Sequence, residues 1–210
     1  MAYPILKHFI FPLASLWFRN IKGLENLPRK RGFIIAANHS SYMDHFALGY
    51  AIIYKLDKKL HFLAKKEHFG DPLQKIWHTY AAAIPIDREA GGKEALRLAI
   101  DALKQNKVIG IYPEGTRSLT GKIQRAKTGI ARLALQARVP VVPVGLIGMF
   151  DVLPKGKWVP GFKSGRAIIG KPLIFEKHYN KPITKKLLRQ VTTTIMKEIA
   201  RLSHQKYPFN

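Results

Sequence analysis

The chain has 210 residues, 47% of them hydrophobic, which is enough for one domain with a sizeable apolar core and excludes disorder as an account of it. Cysteine is absent, so thiolate catalysis, disulfide frameworks and cysteine-ligated zinc or iron–sulfur sites are excluded. A formal charge of +23, from 36 Lys and Arg against 13 Asp and Glu, implies a polyanionic partner: nucleic acid, an anionic bilayer or an anionic substrate.

From the amino terminus, MAYPILKHFIFPLASLWFRN is apolar and aromatic but broken by Pro4, Lys7, His8 and Pro12 and closed by Arg19. A spanning helix needs roughly 20 consecutive apolar residues. Residues 1–20 are therefore expected to form a short helical arm in the bilayer interface, with Phe9, Phe11, Trp17 and Phe18 immersed. The alternative is a helix packed on the core.

Residues 21–210 read as one α/β domain. The apolar run 32–38 is expected to be a buried strand, followed by a helix from about Asp44 to Tyr54. A strand over 60–65 precedes a helix ending near Trp77, and 81–86 forms a third strand. The segment 92–105 places Leu96, Ala99, Ile100 and Leu103 at helical spacing. Strands over 108–113 and 139–148 flank a helix expected from about Ile123 to Gln136. Late strands over 166–170 and 172–175 precede a last helix from about Thr184 to Leu202. Regular strand–helix alternation implies a largely parallel central sheet flanked by helices.

In such sheets the loops leaving the strands collect the chemistry. Two unusual polar segments fall there: NHSSYMD after the first strand and PEGTRS after the fourth. His39 leaves the strand and Asp44 opens the helix, so the loop can fold the carboxylate onto one imidazole nitrogen. That contact fixes the tautomer and leaves the second nitrogen as a base. In PEGTRS, Gly115 permits a tight turn and Arg117 offers a fork suited to a phosphate monoester. Glu114 is unexpected beside an anion; it either orients neighbouring groups, bonds a substrate hydroxyl or pairs with Arg117.

With IPIDR, containing Asp87 and Arg88, and VPVVPVGL, containing Pro143, these segments form four ordered blocks. Together they resemble the glycerolipid acyltransferase family, which includes the bacterial 1-acyl-sn-glycerol-3-phosphate acyltransferases. The likeness runs over about residues 20–175, with LAKKEHF and RAKTG matching two further segments. RAKTG departs from the family in its Arg-Ala opening, where an aromatic is usual.

The resemblance implies that His39 deprotonates the acceptor hydroxyl and that Asp44 orients it. It places Glu114, Gly115, Thr116 and Arg117 at the acceptor phosphate, with Arg88, Lys127 and Lys66 as further contacts; Lys65 stands as an alternative to Lys66. The implied acceptor is lysophosphatidic acid, or another lysophospholipid or glycolipid. The implied donor is acyl-CoA or acyl-carrier protein, used as co-substrate with no cofactor. No covalent acyl-enzyme is required, in keeping with the absence of a Gly-x-Ser-x-Gly elbow. An oxyanion donor is expected among the backbone amides near Gly115 or in the Ser40 to Tyr42 loop.

No metal is expected, since the histidines lack a ligand spacing such as His-Glu-x-x-His. Nucleic acid is also not expected, because no recognised binding signature accompanies the charge. The anticipated setting is peripheral or monotopic attachment to anionic membrane lipid, on the cytoplasmic face.

Overall fold

The computed structural model describes residues 3–86 and 92–209. A π-helical turn over Leu6–Ile10 leads into α1 (Phe11–Ala14), a 3-10 turn over Ser15–Trp17 and strand β1 (Phe18–Lys22). Then follow β2 (Phe33–Ala37), α2 (Met43–Leu56), β3 (Leu60–Lys65), α3 (Pro72–Tyr80), β4 (Ile84–Ile86) and α4 (Lys93–Lys104). The chain continues through β5 (Val108–Ile111), α5 (Gly129–Ala137), β6 (Val141–Ile147), α6 (Met149–Val152), β7 (Gly165–Ile169) and α7 (Lys185–Leu202).

The strands form one sheet in the order β1-β7-β6-β2-β5-β3-β4. Neighbours from β6 through β4 run parallel; β7 is antiparallel to β6, and β1 is parallel to β7. The expected largely parallel sheet is thus observed, with one reversed edge.

β2 lies centrally and is buried along its whole length. Its alternating side chains serve opposite faces. Ile34 and Ala36 pack with α4, α5 and α7, whereas Phe33, Ile35 and Ala37 pack with α2 and β1. Both faces are covered, which is why the strand is a continuous apolar run. α7 begins at an N-cap, where Thr184 Oγ1 accepts from the Leu187 amide at 3.1 Å. It then buries Leu188, Val191, Ile195 and Ile199 along one face.

The end of α7 lies against β6 at Gly145. An ideal Cβ built there would stand 2.2 Å from the carbonyl carbon of Leu202 and 2.3 Å from the Ser203 nitrogen. Gly145→Ala must therefore move backbone, and a destabilisation of about 2–3 kcal/mol is expected. Thermal unfolding should show a melting temperature lower by roughly 5–10 °C.

Four expectations are corrected. β1 carries Asn20 and Lys22 and lacks an apolar run, so pairing with β7 makes it a strand; it crosses the boundary placed at residue 20. Phe11 and Phe18 are core residues stacked edge-on against Tyr50, with ring centroids 6.1 and 5.5 Å apart, so neither can be immersed in lipid.

α5 starts at Gly129, not near Ile123, because tertiary partners take the backbone amides before it. Ile123 donates to Gln205, Gln124 to Glu114, Ala126 to the Tyr207 hydroxyl and Lys127 to the Pro113 carbonyl. Residues 172–175 form no strand; Leu173 exchanges one pair of hydrogen bonds with Val141 as an isolated bridge. Pro172 has no amide hydrogen with which to extend it.

Candidate active site

β2 and β5 are parallel neighbours, so the loops leaving their carboxyl ends emerge side by side at one sheet edge. The order of the sheet therefore brings NHSSYMD and PEGTRS together. Asn38 continues β2 by proxy: its side-chain amide donates to the Leu146 carbonyl at 2.9 Å and its oxygen accepts from the Leu146 amide at 2.8 Å. This replaces a pair of ladder bonds to β6 and frees the backbone to turn at His39.

The expected pair is formed. His39 Nδ1 lies 2.8 Å from Asp44 Oδ2. The amides of Ser40 and Ser41 donate to the same oxygen, each at 2.8 Å. Asp44 sits in the first turn of α2, where the helix dipole favours negative charge, and it is fully buried. As an acceptor for three N–H groups, the carboxylate assigns the imidazole proton to Nδ1 and leaves a lone pair on Nε2. The His39 side chain is 11% exposed, so the ring is shielded yet reaches the surface.

Tyr112 holds the ring by its face, with centroids 3.8 Å apart and planes 9° from parallel. Phe62 lies parallel to Tyr112 with centroids 5.7 Å apart, and His45 meets His39, Tyr112 and Phe62 edge-on. Tyr112 was visible in the sequence only as the aromatic before Pro113; its grip on the imidazole was not.

Glu114 is the second clamp. Its Oε1 accepts from the His39 amide at 2.9 Å, while Oε2 accepts from the Gln124 amide at 2.9 Å and from the Gln124 side chain at 3.3 Å. The Ser118 amide then donates to the His39 carbonyl at 2.8 Å, so both sides of the His39 backbone are tied to the PEGTRS loop. Of the roles open to Glu114, orienting neighbours is the one these bonds perform; no ion pair joins it to Arg117. Burial pushes its pKa up to about 7 against the opposing pull of the amide donors.

Arg117 stacks on Tyr42, its Cζ 3.5 Å from the ring centroid, and its Nη1 is buried with no hydrogen-bond partner. Such a guanidinium nitrogen is a donor of the kind suited to an anion. Gly115 adopts a φ of +78°, and a Cβ there would come within 3.2 Å of Lys127 Cε. The glycine thus accommodates the turn and lets Lys127 lie across the loop. Thr116 is exposed, its carbonyl accepting from Gln124 at 3.2 Å. Lys66 is exposed just beyond β3, at the same sheet edge, and no bond joins it to either loop among the described residues. Arg88 and Asp87 lie outside the described residues.

Four of the amides expected to supply an oxyanion donor are already engaged. Ser40 and Ser41 serve Asp44, Tyr42 donates to Leu153 and Gly115 donates to Tyr112.

The acyltransferase family profile matches residues 18–147. A 1-acyl-sn-glycerol-3-phosphate acyltransferase of Bacillus subtilis is 34% identical over 188 residues, covering 86% of both chains. The chloroplastic enzyme LPAT1 of Arabidopsis thaliana, also named a 1-acyl-sn-glycerol-3-phosphate acyltransferase, is 28% identical over 81% of this chain; the match spans only 50% of that longer protein. The crystal structure of the 1-acyl-sn-glycerophosphate acyltransferase PlsC from Thermotoga maritima superposes with a TM-score of 0.71 at 27% identity, covering 96% of this chain and 80% of that one.

Proposed function

The chain belongs to the acyltransferase family, and from that premise we propose that it moves a fatty acyl group from a thioester to the free sn-2 hydroxyl of 1-acyl-sn-glycerol-3-phosphate, giving phosphatidic acid. The donor in this reading is acyl-CoA or acyl-carrier protein, used as co-substrate without a cofactor. The contact that carries the reading is His39 Nδ1 on Asp44 Oδ2 at 2.8 Å, beside the unpartnered Nη1 of Arg117.

Nε2 of His39 accepts the acceptor's hydroxyl proton as the oxygen attacks the thioester carbon. The tetrahedral intermediate collapses with cleavage of the C–S bond, and the leaving thiolate recovers the proton from His39. Asp44 offsets the transient imidazolium charge. Because the thioester is already activated, proximity and removal of one proton account for most of the required acceleration. Arg117, with Lys127 beside Gly115, receives the acceptor phosphate and thereby sets its hydroxyl near His39.

Arg117→Ala should raise the KM for the phosphorylated acceptor roughly 10- to 100-fold, the loss of about 1.5–3 kcal/mol in hydrogen bonding to a charged group. Initial rates on lysophosphatidic acid and on the corresponding unphosphorylated monoacylglycerol would show the preference collapsing. An unaltered preference would remove Arg117 from the phosphate site.

The same reading sets the enzyme at a bilayer, where its acceptor resides. Among the described residues no helix is long and apolar enough to cross a membrane. Ile5, Phe9, Leu13 and Leu16 are nevertheless exposed, at spacings that put them along one side of the amino-terminal helical turns. An apolar stripe on a strongly basic protein suits an anionic interface.

A further inference from the structure

Residues 154–164, between α6 and β7, carry the most exposed apolar side chains of the described chain. Trp158 is 88% exposed, Val159 77% and Phe162 fully exposed. Isolated apolar residues on a surface are ordinary, but three within five positions, including a Trp and a Phe, form a patch that water alone does not favour. Lys155 and Lys157 are exposed beside it, and Lys163 is exposed while bonded to Asp151 at 3.5 Å.

The segment is not a loose appendage. Towards its carboxyl end the Gly161 carbonyl accepts from the Trp17 indole at 2.8 Å, which joins it to the end of the amino-terminal apolar stripe. The Gly161 amide returns to the Val152 carbonyl at 2.8 Å. At its root the Leu153 carbonyl accepts from the Ser41 hydroxyl at 2.8 Å and from the Tyr42 amide at 3.2 Å, and Pro154 bridges Ser41. One connected set of bonds therefore runs from the amino-terminal stripe through this loop to the segment holding His39, Asp44 and the Tyr42 platform of Arg117.

We infer that the loop 155–163 is a second membrane-docking element, which inserts Trp158, Val159 and Phe162 below the headgroups of an anionic bilayer while its lysines meet lipid phosphates. The inference rests on the reading of the enzyme as acting at a bilayer. Charge complementarity selects lipid as the occupant: an apolar tip collared by lysines, on a chain of net charge +23, matches an anionic interface. Trp at the tip suits the boundary between headgroup and acyl chain. Two insertion elements, tied at Trp17–Gly161, fix the orientation of the protein on the surface where one would leave it free to rotate. The Leu153–Ser41 bond then holds the catalytic loop at a set height above the lipid from which its acceptor comes.

Flotation of the full chain with phosphatidylcholine vesicles containing 30% phosphatidylglycerol tests this, using Trp158→Ser/Phe162→Ser. The apolar area removed should lower the partition coefficient at least tenfold. Both side chains are exposed, so the melting temperature should stay within a degree of the parent. Lysine variants Lys155→Gln/Lys157→Gln should weaken binding to the anionic vesicles and leave the weak binding to pure phosphatidylcholine unchanged. With brominated lipids, the quenching of tryptophan emission seen in the parent should drop sharply in Trp158→Phe, which retains only Trp17 and Trp77.

Acyl transfer to long-chain acceptor in vesicles should fall with binding in the double variant, while transfer to a water-soluble short-chain acceptor below its micellar concentration should not. Undiminished vesicle binding by the double variant overturns the inference, as does loss of a dimer in sedimentation without loss of vesicle binding, which assigns the patch to self-association. Failure of the parent to acylate either acceptor counts against the proposed reaction and leaves the vesicle comparison decisive for the loop.

Discussion

His39→Ala is expected to lower kcat by about 10³-fold while leaving thermal stability close to that of the parent. Removal of the imidazole deletes the base whose lone pair Asp44 orients. Its backbone bonds to Glu114 and Ser118 do not involve the side chain and survive the substitution. The KM values for both substrates should change little, since the phosphate contacts proposed above lie on Arg117 and Lys127. Steady-state rates with purified lysophosphatidic acid and an acyl thioester provide the measurement; activity within tenfold of the parent would sink the assignment of His39 as base.

Asp44→Asn separates orientation from charge. The three N–H groups around Asp44 converge on a single oxygen, Oδ2, so an asparagine carbonyl in that place retains every bond. What it loses is the negative charge facing the imidazolium. A fall in kcat of roughly 10²–10³-fold with unchanged circular dichroism would report that charge. Retention of full rate would mean that Asp44 serves only to position the ring.

This pair shows where a linear reading suffices. His39 and Asp44 are separated by one tight loop between a buried strand and a helix, and both elements announce themselves through apolar runs, so the contact follows from local geometry. β2, β3, β5, β6, α4 and α7 were legible for the same reason. The supports of the pair were not. Glu114 reaches the His39 amide across 75 residues, and Asn38 reaches Leu146 across 108; both bonds depend on which strands are neighbours. Strand order is not encoded in hydropathy.

Gln124 falls where a helix was expected, and its amide is instead captured by Glu114. Phe11 and Phe18 belong to an apolar amino-terminal stretch whose composition suits lipid and core equally; only their packing on Tyr50 decides between them. Arg117 was marked by its chemistry, yet the Tyr42 platform that holds its guanidinium flat required the two loops to be seen together.

Glu114 is the residue at which stability and activity should respond to pH in opposite directions. Its folded-state pKa of about 7 exceeds the ordinary value of 4.5, so between these limits the folded protein binds a proton that the unfolded chain has lost. Stability from this group is accordingly fully present below pH 4.5 and lost as pH rises through 7, by an amount on the order of 3 kcal/mol.

Activity runs the other way. Donors meet the carboxylate on both oxygens, and only the ionised form accepts from His39 and Gln124 without placing a proton of its own between them. Protonation therefore slackens the tie between the two catalytic loops, and a geometric slip of about 1 Å at His39 is enough for roughly a 10²-fold loss.

Glu114→Gln imposes that condition at every pH, because its amide NH2 must face one of the donors. Its kcat at pH 8 should fall roughly 10- to 100-fold. The difference in unfolding free energy between parent and Glu114→Gln, measured by urea titration from pH 4.5 to 8, should decline steadily in the parent's disfavour and level off above pH 7. A difference that is flat across this window would show that Glu114 stays ionised throughout, and that its clamp on His39 is insensitive to acid.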